Sequence, residues 1–367
     1  MIKPFSPIPV FDDWNDVQSK SIDLLRFPLA VAVVFLHYAS TQFYEATGAF
    51  KVLCVVFQEG LCRIAVPCFF FISGYLFFCN LAKWDWVIWK RKLNRRIQTL
   101  FIPYFLWIII ALLAYWLFEL FQGKQVSFIQ YFIDRGGLRI FWGETGSFPV
   151  GSRALPINIP LWFVRDLIYY IVITPVLHYY ITHTQTKGII AVLIPFLLVR
   201  GIIPEGFVFF LLGAYSSIKK INFSEYVWQK RMFLYFSFVL LFFANYFFFN
   251  IDYWGRIVGA LFRFVGVGTS FCVASELAIR HTVKPNMFLV RSSFFIFATH
   301  EILILRRLAI PLVSSIFPSV GQGWAFLRFF LTPAVCVTIC LAFFYVMGHV
   351  MPRTTSVLTG NHGRPST

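Results

Sequence analysis

In the run SIDLLRFPLAVAVVFLHYAS, residues 21–40, three ionisable side chains interrupt an apolar helix: Asp23, Arg26 and His37. Insertion scales put the cost of an Arg or Asp at mid-helix in hydrocarbon at roughly 2.5–3.5 kcal/mol. On a helix turning about 100° per residue, Arg26 and His37 fall about 20° apart in angle and roughly 16 Å apart along the axis. Asp23, three positions before Arg26, is placed to pair with it and so to orient it. The three share one stripe, which must face a protein interior or a wet cavity. A neutral imidazole on that stripe suits a general base, because its pKa lies near working pH. Arg26 suits a phosphate or a thioester carbonyl, since its guanidinium is always charged and forked. The plain alternative for His37 is a histidine that packs against a neighbouring helix.

Four further groups could carry chemistry. In KRKLNRRIQTLFIPY, residues 90–104, Lys92, Arg95 and Arg96 present one basic face. They either clamp the phosphates of a nucleotide-bearing donor or anchor the helix among anionic headgroups. Glu59 and Arg63 stand four apart and read as a buried ion pair. Trp162 and Arg165, in PLWFVRDLIYYIVITP, read equally as a sugar or phosphate contact and as a structural pair with Asp166. In SSFFIFATHEILI, His300 and Glu301 are adjacent, so they do not share a helix face and do not form a dyad with each other. One of them is expected to point toward His37. Ser73 lies outside any GxSxG elbow, while Pro67 and the Ser73-Gly74 pair predict a kink or close helix contact.

The elements that must position these residues follow from composition. The chain has 367 residues, 59% hydrophobic and 13% charged, with mean hydropathy +0.73. Soluble domains carry about 25% charged residues, so this is an all-α polytopic membrane protein. Ten apolar spans are expected, near 22–44, 52–79, 98–118, 160–181, 188–202, 205–218, 232–250, 255–278, 287–306 and 324–349. The fifth and sixth are short and read either as crossings or as a re-entrant hairpin about Pro204. The net charge of +16 belongs to loops. Lys90 to Arg96, Lys219, Lys220, Lys230, Arg231, Arg280 and Lys284 fall on one side, against Lys51, Arg256, Arg306 and Arg307 on the other. The positive-inside rule then puts both termini in the cytoplasm. Residues 1–20 form an inner tail without signal-peptide features. Residues 21–350 form the membrane domain, and 351–367 a second inner tail. The loop at about 119–159, with GETGSFPVGSRALP, faces outward as a lid or a connector. The seven cysteines sit in apolar runs without metal-type spacing and read as small buried hydrophobes. Neither a metal nor a nucleic-acid partner is expected.

Taken together, SIDLLRFPLAVAVVFLH, AVPCFFFISGYLFF, RKLNRRIQTLFIPYFLW, PLWFVRDLIYYIVITPVL and FIFATHEILI resemble the integral-membrane acyltransferase 3 family. They spread over about residues 20–305. The resemblance implies ten helices with both termini inside, a cytoplasmic acyl-CoA donor and an acceptor hydroxyl on a cell-surface carbohydrate. It maps the family's first-helix histidine onto His37 and its partner arginine onto Arg26. The basic pair before the third helix maps onto Lys92 and Arg95, where an arginine pair is more usual; a lysine there keeps charge but not a bidentate contact. No fused transfer domain accompanies it.

The expectation is an O-acyltransferase, with acetyl as the expected group. It would act in the inner membrane on a surface polysaccharide, its lipid-linked precursor or a glycolipid. Acetyl-CoA would be consumed as donor, with no permanently bound cofactor. Proton removal by His37 and an acyl-histidine relay both remain open, as does oligomerisation. A secondary transporter or flippase is the rival, because intramembrane Arg, His, Asp and Glu mark substrate paths there too. An inactive scaffold would carry the same stripe.

Overall fold

A computed structural model describes residues 13–39, 47–79, 84–143, 155–280, 283–317 and 322–360. Every regular element among them is helical. In chain order these are α1 (Trp14–Ala39), α2 (Gly48–Phe78), α3 (Trp86–Phe121), α4 (Phe128–Asp134), α5 (Trp162–Val172), α6 (Thr174–Leu198) and α7 (Glu205–Ile218). Then come α8 (Phe223–Gln229), α9 (Arg231–Phe248), α10 (Asp252–Ile279), α11 (Met287–Ile316), α12 (Gln322–Val350) and α13 (Pro352–Thr359). Eight are long and apolar enough to cross a membrane: α1, α2, α3, α6 and α9 to α12.

The ten expected segments are all accounted for, though two share one helix. The fourth consists of α5 and the first part of α6, which meet at Ile173. Within α6, Gln185 adopts φ 52° and ψ −136°. The Tyr180 hydroxyl donates to the Gly188 carbonyl at 2.9 Å. A straight helix would separate those residues by about 12 Å of rise, so the chain reverses at Gln185. The first part stacks His178 on Trp84, centroids 4.4 Å apart. The second part ends where Arg256 donates to the carbonyls of Leu197 and Leu198. It therefore returns to the end of the bundle where α10 begins. The sixth segment, α7, is shorter and starts at Glu205, paired with Arg263, eleven residues into α10.

α2 is not one regular helix. Residues Cys54–Gly60 form a wide π-helical stretch, Gly60 takes φ −90° and ψ −89°, Leu61–Ile64 tighten to a 3-10 turn, and Ala65–Phe78 run as α-helix. Irregular backbone at this depth is tolerated because protein surrounds it. The break lies at Gly60 rather than at Ser73-Gly74. Gly74 instead serves close contact with α7. A Cβ there would strike the Phe210 carbonyl, and one on Gly213 would strike the Phe71 carbonyl. Small residues let backbones meet where lipid supplies no hydrophobic drive between helices.

α1 runs through the middle of the bundle, against α2, α10, α11 and α12. Asp13 accepts from the backbone N–H of Asn15 and Asp16 and so starts it. α9 is peripheral, and Asn245 is its one buried residue. The expected inner tail beyond 350 is not free along its whole length. α13 folds back on α3, and Trp107 Nε1 donates to the Leu358 carbonyl at 2.9 Å. Residues 361–367 lie outside the described set. So do residues 144–154 of the expected lid. The described part of that loop is fixed by Tyr104, whose hydroxyl donates to the Phe141 carbonyl.

Candidate active site

His37 sits in the last turn of α1. His300 faces it edge-on, with ring centroids 5.0 Å apart and planes at 63°. His300 is fully buried, and its Nδ1 lies 2.9 Å from the Ile296 carbonyl. A carbonyl only accepts, so Nδ1 carries the proton and Nε2 keeps a lone pair. That Nε2 has no hydrogen-bond partner among the described residues, and neither has Oε2 of Glu301. Ligand-type atoms of His37, His300 and Glu301 all lie within 4.8 Å of one another. Both neighbours on α11 thus lie near His37, where the sequence pointed to one of them. The chain from His300 to Ala309 is widened into a π-helix. That pitch pairs residues five apart, and Arg306 Nε accordingly donates to Glu301 Oε1.

The opposite end of the stripe is basic. Arg26 pairs with Asp23 at 3.3 Å, as the spacing required. Arg96 lies within electrostatic reach of both Arg95 and Arg26. Arg95 is exposed and Arg96 half-buried. Lys92 does something else with its ammonium. It donates to the carbonyls of Phe77 at 2.7 Å and Cys79 at 2.9 Å, closing the C-terminus of α2.

Arg165 is buried, and its Nε and Nη2 donate to Asp166 Oδ1. Its Nη1 donates to the Trp142 carbonyl. This is the structural pairing of the two readings, and it ties α5 to the segment after α4. Trp162 leans on Phe70, with centroids 6.3 Å apart. Glu59 and Arg63 form an ion pair at 2.7 Å, with half of the Arg63 side chain exposed, so the pair is less buried than expected. All seven cysteines are unpaired thiols.

A family model described as an acyltransferase domain matches residues 19–351. The chain belongs to the acyltransferase 3 family. Among curated relatives, the succinoglycan biosynthesis protein ExoH of Rhizobium meliloti (strain 1021) is 26% identical over 368 residues, covering 94% of this chain and 92% of that protein. No solved structure gives a significant match.

Three residues around this acyltransferase's histidine went unread in the sequence. Gln58, buried in the π stretch of α2, donates from Nε2 to the Leu36 carbonyl at 3.2 Å, directly beside His37. Asn158, also buried, donates from Nδ2 to the Ala298 carbonyl at 3.0 Å, just before the widened turn of α11. Both supply donors to carbonyls at irregular helix ends. In the sequence Arg306 reads only as an outer-loop charge. Its five-residue spacing from Glu301 was the available signal, and it becomes a pairing only in a π-helix. The cluster leaves two acceptors, His300 Nε2 and Glu301 Oε2, without a partner among the described residues close to His37; an imidazole in such surroundings can be positioned as a base, with a carboxylate to offset its charge.

Proposed function

We propose that this acyltransferase moves an acyl group, acetyl as the expected one, from acyl-CoA to a hydroxyl of a surface polysaccharide, its lipid-linked precursor or a glycolipid. The observation that carries the reading is the convergence of His37, His300 and Glu301 at one end of the stripe whose other end joins Arg26 to Arg95 and Arg96. The curated relative's name, a succinoglycan biosynthesis protein, supports a polysaccharide acceptor. With both termini cytoplasmic, the basic end faces the cytoplasm of the inner-membrane protein, where acyl-CoA is available. His37 then lies toward the outer face, where a surface glycan or its precursor can arrive.

In the proposed step His37 takes the proton of the acceptor hydroxyl. The oxygen attacks the thioester carbonyl carbon, the C–S bond breaks, and the thiolate leaves as coenzyme A after regaining a proton. Arg26 is roughly 16 Å from His37 along the helix, which suits the donor's phosphates and not the reacting carbonyl. The same separation suits the pantetheine arm of coenzyme A, which links phosphate to thioester. Lys92 serves the helix end, so Arg95, Arg96 and Arg26 carry the donor charge. Trp162 and Arg165 have less claim on the acceptor than the sequence offered them.

Mass spectrometry of surface glycans from cells making the wild-type chain or its His37→Ala variant tests the reading. An acyl mass on the glycan with the former alone supports it, and identical glycans reject it. Release of free coenzyme A thiol in step with acylation separates transfer from the rival flippase, which consumes no thioester.

A further inference from the structure

A second polar cluster lies on the side of α2 away from His37. Asn245 is 8% exposed, on a helix whose other faces are open and apolar, with Met232, Phe236 and Phe247 outermost. Its amide makes no hydrogen bond among the described residues. Arg263 donates from Nε to Glu205, and its Nη groups have no partner among those residues. Two glycines let these groups lie close against the backbone of α2 and α10. A Cβ on Gly259 would sit 3.2 Å from Arg263 Nη1 and 3.3 Å from Asn245 Oδ1, and a Cβ on Gly60 would sit 3.9 Å from Asn245 Nδ2. Gly60 is two residues beyond Gln58, which bonds next to His37. The break in α2 therefore has the reaction centre on one face and this niche on the other.

Ionisable groups inside a span are costly and mark function. Here the charges of Arg263 and Glu205 cancel, so the niche offers no net attraction to a bare phosphate. It offers donors, from Asn245 and Arg263, and acceptors, from Asn245 and Glu205. Mixed donors and acceptors of zero net charge match hydroxyls, which both give and take hydrogen bonds. With α9 peripheral, the approach is from the bilayer.

We infer that Asn245, Arg263 and Glu205, over Gly60 and Gly259, bind the hydroxyl-bearing headgroup of a membrane lipid. The niche is a lateral docking site for a lipid-borne sugar acceptor. The acceptor role rests on the proposed function, whereas headgroup binding does not.

The test is native mass spectrometry of the full chain ejected from phosphatidylcholine nanodiscs. These would be doped with glucosyl-diacylglycerol, with diacylglycerol or with phosphatidic acid. Wild type should retain the glucosyl lipid in preference to both others. Asn245→Leu should cut that retention roughly threefold to tenfold, the scale of one neutral hydrogen bond. Gly259→Ala, which fills the niche with a methyl against two flexible side-chain ends, should do the same in a folded protein. Equal retention of diacylglycerol, preferential retention of phosphatidic acid, or unchanged glucosyl-lipid retention in both variants overturns the inference. None of these outcomes depends on acyl transfer, so failure here and failure of the transferase reading are told apart.

Discussion

His37 and His300 meet edge to face at 5.0 Å, one from the end of the first helix and one from a widened turn within the eleventh. Neither histidine could hold this relation alone. Glu301 beside them is fixed by Arg306, and His300 by its own helix carbonyl. From this arrangement His37→Ala should lower the rate of transfer by roughly 10²–10⁴, the range for a lost general base. Membrane insertion should be unaffected, because an apolar residue enters hydrocarbon more easily than imidazole. Near wild-type transfer by a correctly inserted His37→Ala protein ends both the base and the relay roles.

Glu301 is almost wholly buried, and Arg306 less so. Removing one partner of a fully buried pair costs about 3–5 kcal/mol, and less where one partner is 40% exposed as Arg306 is, while replacing both costs less still. Glu301→Gln and Arg306→Gln should therefore each lower the melting temperature more than the double variant departs from either. Additive losses in thermal unfolding would mean that the two charges do not support each other.

The basic end holds, within five residues, the helix-end contact of Lys92 and the proposed donor contacts of Arg95 and Arg96. Lys92→Met should reduce thermal stability through the freed carbonyls of Phe77 and Cys79 while leaving acetyl-CoA affinity near wild type. Arg95→Ala should weaken acetyl-CoA by about 1.5–3 kcal/mol, tenfold to over a hundredfold, with little change in melting. Titration and melting of the same two preparations check the pair. A reversed pattern would return Lys92 to the donor site.

Gly74→Ala and Gly213→Ala each place a methyl against the partner's backbone, where nothing flexible can yield. Overpacking of this kind costs about 1–3 kcal/mol, sometimes more. Both should melt earlier than Gly348→Ala, a glycine with open space around it. Equal melting of all three would contradict the intimate contact of α2 with α7.

Spans and the Asp23–Arg26 pair were legible because hydropathy and helical period depend on short-range rules. The meeting of His300 and Glu301 at His37 was not, since it depends on a π turn that no period reveals. Lys92 illustrates the same limit: its charge and face were readable, but the carbonyls it serves belong to the end of another helix. Gln58 and Asn158 were passed over as lone amides in apolar runs. What marks them is the unpaired backbone that they satisfy, and that exists only once α1, α2 and α11 have come together. The reversal at Gln185, by contrast, was legible, since it falls in the polar gap between the expected spans 160–181 and 188–202, just before Gly188.

The bond from Trp107 to Leu358 spans 251 residues of sequence. The third helix is threaded into the bilayer long before its partner leaves the ribosome. Until then its indole N–H and the groove around it stay open to whatever the emerging chain or the lipid offers. Closure of the basic end is thus a late event in biogenesis, set by translation rather than by insertion. A nascent protein can hold every crossing in place and still be unfinished at its basic end.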